Sequence, residues 1–375
     1  MLLARHIKLL CYLMVGTSFP SVVALVAAFC GGVFGAAIGG LLSFVLMGFL
    51  VLVGVMLALA GGGLEFLANV AWGSVFGPHV GLLGGAIAAA YAHRRGYYAD
   101  GTQINIPLLK LRQIDVLLVG GVVGVIGFLL VTGLATIPIL GDHLDAIAVA
   151  ISLTMIVGRL AFGRVGLLGV RNSNAASMMQ TGRVLWPGQP GFWVSYQHRW
   201  LAVIGQGMIV GAVAGVLTIV LGVLFPGAIS VVHEFAFALS AISLVGLMFG
   251  ATIPITHHIT LPAATAVSLF LAPVTSLAGS ALSPVLLVVA AATVGATAGI
   301  TCELFARLWL NRGDTLIDPP TLTNAVLLTL LSISVEPRWQ EFGNIPGWMI
   351  VTTIVSLVIG ILLVTYAKSA RCDSD

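Results

Sequence analysis

Few side chains in this sequence can do chemistry, and most of them sit in or beside long apolar runs. His79 follows a glycine and a proline, in Gly77-Pro78-His79, and lies 14 residues from Glu65 on one side and His93 on the other. A polar side chain at bilayer depth is expensive and faces the protein interior or a wet cavity. Proline removes a backbone hydrogen bond from a helix, and a broken helix frees amides and carbonyls that can contact a solute. The plainer reading of His79 is a structural histidine bonded to a neighbouring helix.

A second group is Thr256, His257, His258 and Thr260, between Pro254 and Pro262. Adjacent side chains on a helix point about 100° apart, so the two imidazoles do not share one ion. One is expected to line a path while the other caps or reaches the interface. Neutral imidazole relays protons near neutral pH or ligates transition metals. There is no HExxH and no cysteine cluster, so neither a metal site nor a cofactor is expected.

The carboxylates come in pairs. Glu65 and Glu234 (beside His233) stand near span ends, where a solvated or capping role competes with a pathway role. Asp142, His143 and Asp145 open another apolar run, and either aspartate suits a helix cap. Asp314 and Asp318 precede Pro319-Pro320-Thr321, the pattern of an Asp cap with proline in the first turn. In the functional reading, these helix ends with their free amides face a pathway. Glu303 and Arg307 are four apart and pair locally.

The elements that position these groups are membrane helices. From Leu9 to Leu64 there is no Asp, Glu, Lys, Arg or His, enough apolar chain for two crossings of about 20 residues. Hydrophobic residues make up 59% and charged residues 8%, against about 25% charged in globular domains. The fold class expected is an all-α polytopic membrane protein. Candidate spans are 9–29, 33–61, 114–137, 144–165, 200–224, 232–252, 254–275, 282–305, 319–335 and 347–367. Residues 65–92, interrupted at Gly77-Pro78, read as a broken or re-entrant hairpin. If that hairpin leaves by the side it entered, 15 of the 16 Lys and Arg fall on one side, with Arg338 opposite. The positive-inside rule then puts both termini in the cytoplasm, in a bacterial-type inner membrane. Residues 1–165 form a first transmembrane half, 166–199 a cytoplasmic linker and 200–375 a second half.

The halves share landmarks in one order. These are a Gly-rich span, Glu-Phe at 65 and 234, a histidine in an irregular stretch, and Gly-Asp at 141 and 313. The topology gives matched elements opposite orientations, an inverted repeat of the kind secondary transporters use. It pairs 33–61 with 200–224, 114–137 with 282–305, and 144–165 with 319–335. The four scattered cysteines make no disulfide framework, and the formal charge of +3 is no nucleic-acid signal. No P-loop, nucleophile elbow or voltage-sensor helix is present. The expected function is a transporter or channel for a small solute or ion, possible proton coupling included, with its path between the halves. Its expected partners are the bilayer, the solute, and further copies or partner subunits. A membrane subunit or scaffold of a larger complex, and a membrane-embedded enzyme, are the alternatives.

Overall fold

The computed structural model describes residues 21–138, 140–167, 169, 194, 197–271, 283–311 and 313–334. The expected span 347–367, the first part of 9–29, most of the linker and both termini lie outside the described residues. Eleven α-helices are described: α1 (Val22–Ile38), α2 (Gly40–Leu59), α3 (Gly81–Arg94), α4 (Ile114–Ala135), α5 (Ala146–Phe162), α6 (Trp200–Leu224), α7 (His233–Ser243), α8 (Val245–Met248), α9 (His257–Leu271), α10 (Pro284–Phe305) and α11 (Pro319–Ser334). One isolated bridge, Gly101 to Thr315, is the sole β-type pairing among the described residues. Four segments are long and apolar enough to cross a membrane: Gly40–Leu59, Ile114–Ala135, Trp200–Leu224 and Pro284–Leu310, the last extended by a π-turn. Shorter apolar helices accompany them. The chain is an all-α, integral membrane protein.

These helices put small residues inside and large apolar ones outside. On α4, Gly120, Gly124 and Gly127 face the bundle while Leu118, Val122, Ile126 and Leu129 face outward. On α6, Gly207, Gly211 and Gly215 face inward while Ile209, Val213 and Val220 face outward. In lipid there is no hydrophobic gain from pressing two leucines together, so close backbone approach at small residues holds the helices. Gly32 of α1 meets Gly120 of α4, and Gly207 of α6 meets Gly295 of α10, backbone to backbone.

The first two helix boundaries differ from the expected break at 29–33. Gly31, Gly32 and Gly35 lie inside α1, packed against the backbone of Val75, Gly120 and Gly81. The chain turns instead at Gly39, whose φ of +95° is open to glycine and strained for other residues.

Residues 65–94 are broken, as Gly77-Pro78 demands, but they do not leave by the end they entered. Gly54 of α2 faces Leu67, Ser43 faces Gly81, and Gly40 faces Gly85. The segment thus climbs back along α2, through the π-turn Leu67–Ala71 and a run of turns, and α3 finishes beyond the start of α2. It passes from one end of the bundle to the other, so the re-entrant expectation is corrected. The reason is the boundary at Gly39. With α2 starting there, a full passage is what brings Arg94 to the end it shares with α2's first residue.

Packing partners recur along the chain. α1 lies along α4, α3 packs on both, and α5 closes against α3 and α4. Further on, α6 lies along α10, α9 packs on both, and α11 closes against α9 and α10. α2 meets α7, and α5 meets α11, joining the two groups.

Leucine at Gly32 or Gly207 forces backbones apart and is expected to cost about 1–3 kcal/mol. At Gly133 or Gly205, where an added Cβ meets nothing within 4 Å, leucine is expected to be tolerated. Thermal unfolding midpoints of the four purified variants check this contrast.

Candidate functional site

A cavity of about 210 Å³ lies where the two groups of helices meet. Its deep wall includes Pro78 and His79 at the start of α3, His257 at the start of α9, and Thr321 and Asn324 of α11. Its side wall includes Ala68 and Trp72 from the broken segment and His233, Glu234 and Phe237 from α7. It extends to Gly141, Asp142, His143 and Ser332, where α5 begins and α11 ends. His143 Nδ1 and Ser332 Oγ lie 3.4 Å apart there, and Asp145 N donates to Thr329 Oγ1 at 3.4 Å.

His79 is buried, stacked on Phe128 with ring centroids 6.3 Å apart. Neither of its ring nitrogens has a hydrogen-bond partner among the described residues. Its carbonyl lies so close to Gly127 that any Cβ there would collide with it. His257 packs against Phe44 at 5.0 Å, and its Nδ1 is likewise unpartnered. The Nδ1 of His233 and the Oδ1 of Asn324 complete a set of buried, unpaired polar atoms on residues lining one space. Each buried polar atom left without a partner costs about 1–3 kcal/mol.

Glu234 is buried and accepts a 2.8 Å hydrogen bond from Trp72 Nε1. Trp72 stacks on Phe237 at 5.6 Å, and Phe44 meets Phe237 edge to face at 6.1 Å. A carboxylate therefore stands at the rim of three aromatic rings.

The remaining sequence candidates divide by position. Asp145 lines the cavity and caps α5 through the Ala148 amide at 3.0 Å. Asp318 caps α11, bonded to the Thr321 amide at 3.0 Å, and does not line the cavity. Thr256 ends the irregular stretch before α9, and its carbonyl accepts from the Ile259 and Thr260 amides at 2.8 and 3.0 Å. His258 is buried behind His257. Gly77 sits at the turn, close against the His79 ring, but does not line the cavity. Glu65 is exposed and outside the cavity. Asp314 sits at the opposite end of the bundle. It accepts from the Arg164 amide at 2.7 Å and lies 3.8 Å from His93 Nε2.

That opposite end is closed and basic. Below His79 and Thr321 the path is filled by Leu83, Ile87, Ile151, Met155 and Ile317. Beyond them the buried Arg159 donates to Thr315 Oγ1 at 3.1 Å, to the Trp309 carbonyl at 2.8 Å and to the Thr315 carbonyl. Arg164 reaches the carbonyls of His93 and Arg94. Arg307 pairs with Glu303 at 2.7 Å and donates to the His198 carbonyl. The eight described Lys and Arg residues are 94, 95, 110, 112, 159, 164, 199 and 307, and all belong to this end; none lines the cavity.

The model of a family of unknown function (DUF7973) matches residues 14–183 and 188–338. The chain belongs to this family. The two matched stretches meet within the linker, at the boundary between the two groups of helices. No curated protein and no solved structure is significantly similar.

Trp72, Phe237, Phe44 and Asn324 were not singled out in the sequence. An indole N–H and an amide inside uncharged apolar runs were the available signals, since both need polar partners in a bilayer.

With the native cysteines replaced, Ser332→Cys at the end the cavity reaches is expected to react with a charged, water-soluble thiosulfonate, and Ile317→Cys in the closed end to resist it. Mass spectrometry of the purified, folded variants reads both.

Proposed function

We propose that the protein is a transporter or channel for a small solute or ion, its path running between two inverted halves and lined by histidines at broken helices. The observation that carries this reading is the cavity itself. It touches both chain breaks, it reaches one end of the bundle, and buried polar atoms with no partner among the described residues belong to residues that line it. Purely structural histidines would find partners in neighbouring helices.

The repeat is supported by the recurring order of partners, α1, α3, α4, α5 against α6, α9, α10, α11. In both groups the first helix runs antiparallel to the third through small residues. The first helix starts at the cavity end in one group and at the basic end in the other, which is the sense of an inversion. In this alignment α4 pairs with α10 and α5 with α11, as the sequence suggested. The partner of α6 is α1 rather than 33–61. Glu65 follows α2 whereas Glu234 begins α7, so these two are not equivalent positions. By the positive-inside rule the closed basic end faces the cytoplasm and the cavity end faces outward. That orientation suits an inner, cytoplasmic membrane.

Reconstituted vesicles test the reading. With a trapped pH dye and light scattering, wild-type vesicles are expected to exceed protein-free ones in proton movement or in swelling in at least one small-solute gradient. His79→Ala is expected to lower that flux about tenfold or more, because it removes the intramembrane imidazole at the cavity floor. Flux equal to protein-free vesicles in every gradient, or an unchanged rate in folded His79→Ala, overturns the proposal.

A further inference from the structure

We propose that the cavity binds a small organic cation, an amine or quaternary ammonium bearing an apolar group, between the Glu234 carboxylate and the rings of Trp72, Phe237 and Phe44. The inference rests on the reading of the cavity as a solute path and names the class of solute.

Charge comes first. The cavity is lined by the carboxylates of Glu234, Asp142 and Asp145 and by no Lys or Arg. An anion would meet no counter-charge there. Helix starts offer it little either. The amides of Val80 and Gly81 bond to the Gly77 carbonyl, and those of Ile259 and Thr260 to the Thr256 carbonyl. Asp145 occupies the first turn of α5. Among the described residues no group of three His, Cys, Asp or Glu is arranged for a metal ion.

The aromatic rings decide between an inorganic and an organic cation. A bare ion keeps its water, whereas an alkylammonium is weakly hydrated and gains from the negative face of tryptophan or phenylalanine. Trp72 directs its N–H into Glu234, so the ring that would face a cation is fixed by the same bond that orients the carboxylate. Phe237 and Phe44 continue the aromatic wall. Most of the remaining wall is apolar, which suits the hydrocarbon part of such a molecule.

A buried carboxylate takes either a proton or a cation, so the two compete. The other titratable groups lining the cavity are His79, Asp142, His143, Asp145, His233 and His257. None carries a fixed positive charge that would neutralise Glu234 in place of the ligand.

The test uses the full chain, purified in detergent, with calorimetry of four probes: benzyltrimethylammonium, tetraethylammonium, benzyl alcohol and phenylacetate. At least one ammonium probe is expected to bind saturably, with the alcohol and the carboxylate at least about tenfold weaker. Binding is expected to weaken by up to about tenfold per pH unit as pH falls and the proton takes the carboxylate. Glu234→Gln is expected to abolish that pH dependence and most of the affinity, and Trp72→Leu to lose about tenfold. Should Glu234→Gln fail to fold, the pH dependence of the wild-type protein decides. Equal binding of benzyl alcohol, preferential binding of phenylacetate, absence of binding by both ammonium probes, or pH-independent binding overturns the inference. Binding without vesicle flux overturns the transport reading and leaves this one standing. Flux of another solute without ammonium binding does the reverse.

Discussion

Hydrocarbon offers no hydrogen bonds, and a helix that breaks within it must find partners for its own backbone. Among the described residues two breaks stand out, the turns from Trp72 to Val80, which hold His79, and the irregular stretch 251–256, which His257 follows. Much of the architecture follows from that need. Turns of the chain pair some of the freed groups, as where Gly77 and Thr256 accept from the amides that follow them. Close-packed glycines seal other groups from lipid, as where Gly127 admits the His79 carbonyl. Imidazole and amide atoms with no partner among the described residues belong to residues that line one shared space. The breaks lie where two groups of helices meet, because that is where backbone can be irregular without touching lipid.

The glycines do two separate jobs, and the distinction explains what the sequence made legible. The membrane class was plain from the run without charge between Leu9 and Leu64. The break at Gly77-Pro78 was plain because proline cannot continue a helix bond pattern. The caps at Asp145 and Asp318 followed from their place before an apolar run or a proline pair, and both bond the amides expected. Residues 31–40, by contrast, hold five glycines that look alike on paper. Which of them bends the chain depends on what packs beside each. Gly32 is held straight by Gly120, and Gly39 is left to turn. Misplacing that turn by one short helix reversed the expected course of residues 65–94.

The carboxylates show the same limit. Glu65-Phe66 and Glu234-Phe235 are identical dipeptides near the ends of apolar segments. One is exposed after α2 and the other is buried at the first turn of α7, against an indole 162 residues away. Register on the helix and the partner across the bundle separate them, and neither is written locally. His79 and His257 were visible as isolated polar residues, whereas their common cavity depends on the meeting of α3, α9 and α11.

A cavity that reaches one end of the bundle, with Leu83, Ile87, Met155 and Ile317 packed below it, would also reshape the membrane's electric field. Water filling the cavity would carry the potential of one face down to the cavity floor, so most of the voltage drop would fall across the thin apolar plug. A full membrane drop is worth about 2.3 kcal/mol per elementary charge per 100 mV. Charge entering the cavity would feel little of that drop, and charge crossing the plug would feel most of it. The plug, a few side chains thick, is therefore where membrane voltage would act on any charge placed across it.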